Sequence, residues 1–140
     1  MRVVLDSTVI FSIFHEKDQF HQLGMEIFNQ FMSKKIEVFL PTLAMPEVCG
    51  AMKRETKDYR ISMIVQSQLE GWIENSIISV KDLTTDRMKY ATEDAIEFGL
   101  KGADAVFVAL AKEMDAKLAT FDGNLKDKIK NSIKIFEIEE

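Results

Sequence analysis

Residues 1–14 read MRVVLDSTVIFSIF, an otherwise near-continuous apolar run interrupted at Asp6. Val3 to Leu5 are strand formers, and the apolar pattern that resumes after Asp6, Ser7 and Thr8 has helical spacing. A polar residue at the point where a buried strand surfaces is first of all a helix cap, because Asp, Ser and Thr oxygens accept the free N–H groups of a first turn. It becomes a candidate functional group when other acids occupy equivalent junctions.

Further along, HQLGMEIFNQFMSKK (21–35) places Leu23, Ile27, Phe28, Phe31 and Met32 at helical spacing, and IEVFLP (36–41) is a strand closed by Pro41. TLAMPEVCGAMKRE (42–55) predicts a helix with Thr42 as its cap and Pro46 in the first turn, where a missing N–H costs least. YRISMIVQSQLEGWIEN (59–75) predicts a longer amphipathic helix burying Ile61, Ile64, Val65, Leu69 and Trp72, followed by the strand IISV (77–80). TTDRMKYATEDAIEFG (84–99) is helical and stops at Gly99. GADAVFVALAKEMDA (102–116) is the next helix, KLATFD (117–122) a fourth strand and IKIFEI (133–138) a fifth. Strands alternating with helices, without hairpin signals between them, predict an α/β fold: a single domain over 1–140 with a mostly parallel sheet of about five strands between helical layers.

The chain has 140 residues, of which 46% are hydrophobic and 29% charged, enough to bury a core. A net charge of −5 excludes the overall basic field that supplies non-specific nucleic-acid affinity, so any such role needs a local patch or a bound cation. A single cysteine, Cys49, excludes an intrachain disulfide and a multi-cysteine zinc site. No segment approaches the ~20 apolar residues of a membrane span, and no secretory leader pattern opens the chain. A soluble cytoplasmic protein is expected.

In an open α/β sheet, ligands bind beyond the carboxyl ends of the strands. Asp6 follows the first strand, Glu47 follows the turn leaving the second, Asp104 opens the helix before the fourth, and Asp122 follows the fourth. With parallel strands these acids share one rim. Each also has an ordinary local role as a cap, first-turn acid or turn residue. Should they converge, two charges ~4 Å apart repel by about 4 kcal/mol at an effective dielectric near 20, so protons or a cation must neutralise them. An all-oxygen site selects Mg²⁺ or Mn²⁺ over Zn²⁺, and such ions on shared carboxylates cleave phosphodiesters with an activated water.

The segments VVLDSTVI (3–10), LPTLAMPEV (40–48), GADAVFVALA (102–111) and LATFD (118–122) resemble, in order and spacing, the motif blocks of the PIN domain family. The compact length is similar to that of the VapC-type toxins of toxin–antitoxin pairs, which are metal-dependent ribonucleases with a parallel sheet between helices. The resemblance implies a PIN-like three-layer sandwich and an Mg²⁺- or Mn²⁺-dependent endoribonuclease. It carries the acids over onto Asp6, Glu47, Asp104 and Asp122, with Thr120 in a Thr-x-Asp position and Ser7 or Thr8 where the family has a small hydroxyl or amide residue. Thr120 and Ser7 are then expected to orient the carboxylates by hydrogen bonds. The resemblance further implies an RNA substrate, a small antitoxin partner and a homodimer.

Lys53, Lys57 and Arg60, with Arg54 adjacent, follow Glu47 and are candidates for an RNA-binding strip, set against the ordinary reading of a solvated helix end interleaved with Glu55 and Asp58. His15 and His21 read as surface residues of a polar turn, Cys49 as a buried small residue, and Asp86, Glu93, Asp94 and Glu97 as a solvated acidic helix face. No GxxxxGK, GxGxxG or HExxH pattern occurs. A phosphate-accepting receiver wants an acidic pair after the first strand, and a haloacid-dehalogenase-like hydrolase wants an acid two residues after Asp6, where Thr8 stands. Another magnesium-dependent phosphoryl hydrolase on a similar sheet is therefore an alternative the motifs disfavour. A catalytically silent protein-binding module is the alternative from another class.

Overall fold

The computed structural model describes residues 1–138. Its strands are β1 (Arg2–Leu5), β2 (Glu37–Pro41), β3 (Ile78–Lys81) and β4 (Lys117–Ala119). Its helices are α1 (Ser7–Phe14), α2 (His21–Met32), α3 (Ala44–Thr56), α4 (Tyr59–Glu74), α5 (Thr85–Phe98), α6 (Gly102–Glu113) and α7 (Gly123–Ile129).

The strands form one parallel sheet in the order β3-β2-β1-β4. Central β1 sets Val4 beside Phe39 of β2 and Leu118 of β4. Val3, Val4 and Leu5 are at most 1% exposed. That is why β1 reads as a continuous apolar run: a parallel strand covered on both faces has no solvent face to alternate with. The path moves from β1 to β3 in one direction and returns across the sheet to β4. Crossovers of one hand therefore put α1–α4 on one face and the α5–α6 pair on the other. α6 packs on β1, β2 and β4, and α1 packs against α2 and α3.

Residues 105–111 of α6 are all buried, as expected for a helix apolar all round and held between a sheet and α5. Its first turn is thereby fixed at the rim where β1, β2 and β4 end. Gly99 closes α5 at φ 65°, the left-handed region glycine enters without penalty.

The structure differs from the sequence reading in several places. The segment 133–138 joins the sheet only by a parallel bridge between Ile135 and Leu118, with the Leu118 N–H donating to the Lys134 carbonyl (2.9 Å) and the Phe136 N–H to the Leu118 carbonyl (2.8 Å). β4 is only 3 residues long, too short to template a full strand beside it. Thr42 does not cap α3, whose cap position is Leu43 without a side-chain bond. Its N–H donates to the Lys81 carbonyl and its hydroxyl accepts the Leu83 N–H, so it stitches the exits of β2 and β3 together. On α4 only Val65 and Leu69 are buried, while Ile61 and Ile64 are 38% and 56% exposed. Asp94 is not solvated: it is 3% exposed and accepts a 2.8 Å hydrogen bond from Lys112 of α6. Among the described residues no helix is long and apolar enough to cross a membrane.

Candidate active site

Asp6 leaves β1 in extended conformation and caps α1, its Oδ1 accepting the Val9 N–H (3.2 Å) and the Thr8 hydroxyl (2.5 Å). One end of this carboxylate thus performs the expected capping task. The side chain is 3% exposed, and Thr120, which follows β4 directly, also hydrogen-bonds it. Burial pushes the Asp6 carboxyl up to about 6, against the lowering effect of hydrogen bonds from Thr120, Thr8 and Val9 and with a further rise from the Asp104 charge.

Glu47 lies in the first turn of α3, and the Ser7 hydroxyl at the start of α1 donates to its Oε1. Ser7 thereby ties the exit of β1 to the exit of β2. Asp104 sits in the first turn of α6. Burial, and then the negative charges of Asp122 and Glu47, raise its carboxyl, while Lys101 and Lys128 pull it down. Asp122 caps α7, its Oδ1 accepting the Asn124 (2.9 Å) and Leu125 (3.2 Å) N–H groups, and its own N–H donates to the Thr120 hydroxyl.

The acids are therefore electrostatic neighbours: Asp122 and Glu47 raise Asp104, and Asp104 in turn raises Asp6. Among the described residues no three His, Cys, Asp or Glu side chains form a finished cation cage. Two observations still fit a divalent ion. Negative neighbours make Asp6 and Asp104 harder to ionise, and the hydrogen bonds to Glu47 and Asp122 occupy only one oxygen of each. An all-oxygen donor set of this kind suits Mg²⁺ or Mn²⁺.

Beside the acids opens a cleft of about 540 Å³ between α1 and α3, its walls including Ser7, Thr8, Glu47 and Arg54. Lys53, Lys57 and Arg60 do not line it; all are exposed, and Lys57 ends α3 at φ 56°. The cation in the wall is Arg54, whose guanidinium passes close over Gly50 (3.2 Å from where a Cβ would stand). Lys101 and Lys128, beside Asp104, were not singled out by the sequence. Arg54 had a legible signal: seven residues after Glu47, it shares that acid's helix face. Asp94 does not reach the rim, since Lys112 holds it near the last turn of α6, roughly 12 Å along the helix from Asp104. Neither histidine lines the cleft: His21 Nδ1 contacts the Ser12 carbonyl (2.7 Å), and His15 lies 3.9 Å from Glu55. Cys49 is half-buried.

The family model described as PIN domain matches residues 3–131. No curated protein matches the chain significantly by sequence. Among solved structures, the chain is similar to Mycobacterium tuberculosis VapC20, a sarcin-ricin loop cleaving toxin, with TM-score 0.73 and 15% identity over 89% of this chain and 93% of that one. It is also similar to a chain of Rickettsia felis VapBC2 bound to a DNA fragment from its promoter (TM-score 0.64, 16% identity, 98% of each chain). A chain of a Klebsiella pneumoniae toxin–antitoxin complex is a further neighbour (TM-score 0.63, 16% identity, 97% of this chain and 99% of that one). The parallel sheet, the helical layers and the match over nearly the whole length agree: the chain belongs to the PIN domain family.

Proposed function

We propose that the protein is a metal-dependent endoribonuclease, the toxin of a toxin–antitoxin pair. The observation that carries this reading is the acid rim itself: Asp6, Glu47, Asp104 and Asp122 come from separate junctions, Asp104 raises the Asp6 carboxyl and is itself raised by Asp122 and Glu47, and Glu47 lines an open cleft. Stability alone gives no reason to gather like charges there, since each neighbour makes the next harder to ionise.

Asp6, Glu47 and Asp104 would hold Mg²⁺ or Mn²⁺, with Asp122 completing that site or assisting a second ion. Bound there, the ion supplies positive charge to the phosphate and acidifies a water for in-line attack. The chain's own residues prepare the place. Ser7 fixes the Glu47 carboxylate, Thr8 and Thr120 fix Asp6, and the Thr120 hydroxyl also accepts the Asp122 N–H, so one threonine sets two acids in register. Lys101 and Lys128 offset part of the negative charge around Asp104 and lie where an approaching RNA backbone needs cations.

The toxin assignment rests on the family and on the likeness to toxins solved with their antitoxins. It brings with it an antitoxin partner, a homodimer and a cytoplasmic setting. The test is incubation of the purified protein with a mixed, structured RNA in Mg²⁺ or Mn²⁺ and in EDTA. Cutting that requires the metal is expected. Absence of cutting together with absence of metal binding would replace the proposal with a catalytically silent binding module.

A further inference from the structure

Resting on the ribonuclease reading, the cleft adds a statement about what kind of RNA enters. Its wall next to the acids is aromatic. Phe20 and Phe121 stack with ring centroids 4.7 Å apart and planes 15° from parallel, and both line the cleft half-buried rather than covered. The pair is held from both sides. Asp18 accepts the Phe20 N–H (3.0 Å), setting the turn that presents this ring. The Phe121 N–H donates to the Thr8 hydroxyl (3.0 Å), which itself donates to Asp6 (2.5 Å), so two hydrogen bonds separate the ring's backbone from a rim acid. On the α3 bank stands Arg54, which makes no ion pair among the described residues although Glu47 and Glu55 share the wall. Gly50 keeps the space beside its guanidinium free.

A flat apolar surface, a free guanidinium and a volume of about 540 Å³ next to a phosphodiester-cleaving rim match the demands of one nucleotide lifted out of its stack. A base in a duplex has no exposed π-face to offer. We propose that this cleft is a subsite for a single unpaired nucleotide flanking the scissile phosphate, its base lying on the Phe20–Phe121 pair and its backbone phosphate meeting Arg54.

The experiment compares a short single-stranded RNA spanning the cleaved step with the same strand made abasic on either side of it. Both are assayed with wild type, Phe20→Leu, Phe121→Leu, Arg54→Gln and Gly50→Ala. Leucine keeps apolar bulk, and circular dichroism checks the fold. Wild type is expected to lose roughly ten- to a hundredfold in kcat/KM on one abasic strand. At least one of the leucine variants is expected to lose a similar factor on the intact strand and to be indifferent to the missing base. Arg54→Gln and Gly50→Ala should raise KM on both strands alike. Equal cleavage of intact and abasic strands by wild type would overturn the proposal, as would leucine variants that lose the same factor on both, the mark of a merely structural role. Binding of the same strands is also read by fluorescence anisotropy in EDTA. There a preference for the intact strand supports the subsite even if no RNA is cut, the outcome that defeats only the nuclease reading, and equal binding overturns it.

Discussion

Replacing Asp6 by Asn should make the metal-free protein more stable at neutral pH while abolishing the activity proposed for it. The buried carboxyl titrates at about 6 against an ordinary value of 3.8. Folding therefore holds the proton more tightly than the unfolded chain does. The sign follows: this contribution favours the fold below about pH 4 and is lost as pH rises through about 6, where the folded state must release a proton it prefers to keep. At pH 7.5 the ionised Asp6 costs on the order of 3 kcal/mol. Asn has nearly the same shape and keeps an oxygen to accept from Thr8 and Val9, so the substitution removes charge and little else. Part of the gain is offset where the new amide N–H₂ meets the Thr120 hydroxyl. A rise in melting temperature of roughly 3–10 °C is expected at pH 7.5 in EDTA, and none at pH 4. Differential scanning fluorimetry at the two pH values measures it. A variant no more stable than wild type at pH 7.5, or a gain that is the same at pH 4, would refute the claim that Asp6 is held under electrostatic and desolvation stress.

Other consequences can be measured separately. Mg²⁺ or Mn²⁺ should raise the melting temperature of wild type but not of Asp6→Asn, and the rise should shrink as pH falls below about 6 because protons compete for Asp6 and Asp104. Gly24→Ala should destabilise by about 1–3 kcal/mol in urea titrations, since a Cβ there would stand 2.1 Å from the Ser12 hydroxyl where α2 crosses α1. Lys112→Met should cost about 1–2 kcal/mol by the same assay, a figure kept low because the lysine is 46% exposed, and Asp94→Asn in that background should recover part of it by removing the stranded charge.

Much of this architecture was legible in the sequence because the signals are local. The alternation of strand and helix, the cap at Asp6, the stop at Gly99 and the apolar run 105–111 of α6 each follow from neighbours within one turn. The acid rim was legible too, because a parallel sheet puts every strand exit at the same end, so Asp6, Glu47 and Asp122 needed only the strand assignment to be placed together. What escaped depends on partners far along the chain. Asp94 looks like one more solvated acid until Lys112, on another helix, turns towards it. Thr42 has every property of a cap, yet the exit of β3, some forty residues later, takes its hydroxyl. The apolar period of α4 includes Ile61 and Ile64, but burial reaches only as far as its neighbours do. The Phe20–Phe121 pair joins residues about a hundred positions apart, and no periodicity can announce it.

Whether the carboxylate rim holds a divalent cation is measured by calorimetric titration of wild type and Asp104→Asn with Mn²⁺ at pH 7.5. Asp104 raises the Asp6 carboxyl and is itself raised by Asp122 and Glu47, and its removal leaves the hydrogen bonds of Asp6, Glu47 and Asp122 in place. Saturable binding by wild type, weakened at least tenfold or lost in the variant, is the predicted result. Equal binding by both proteins, or none by either, would contradict it.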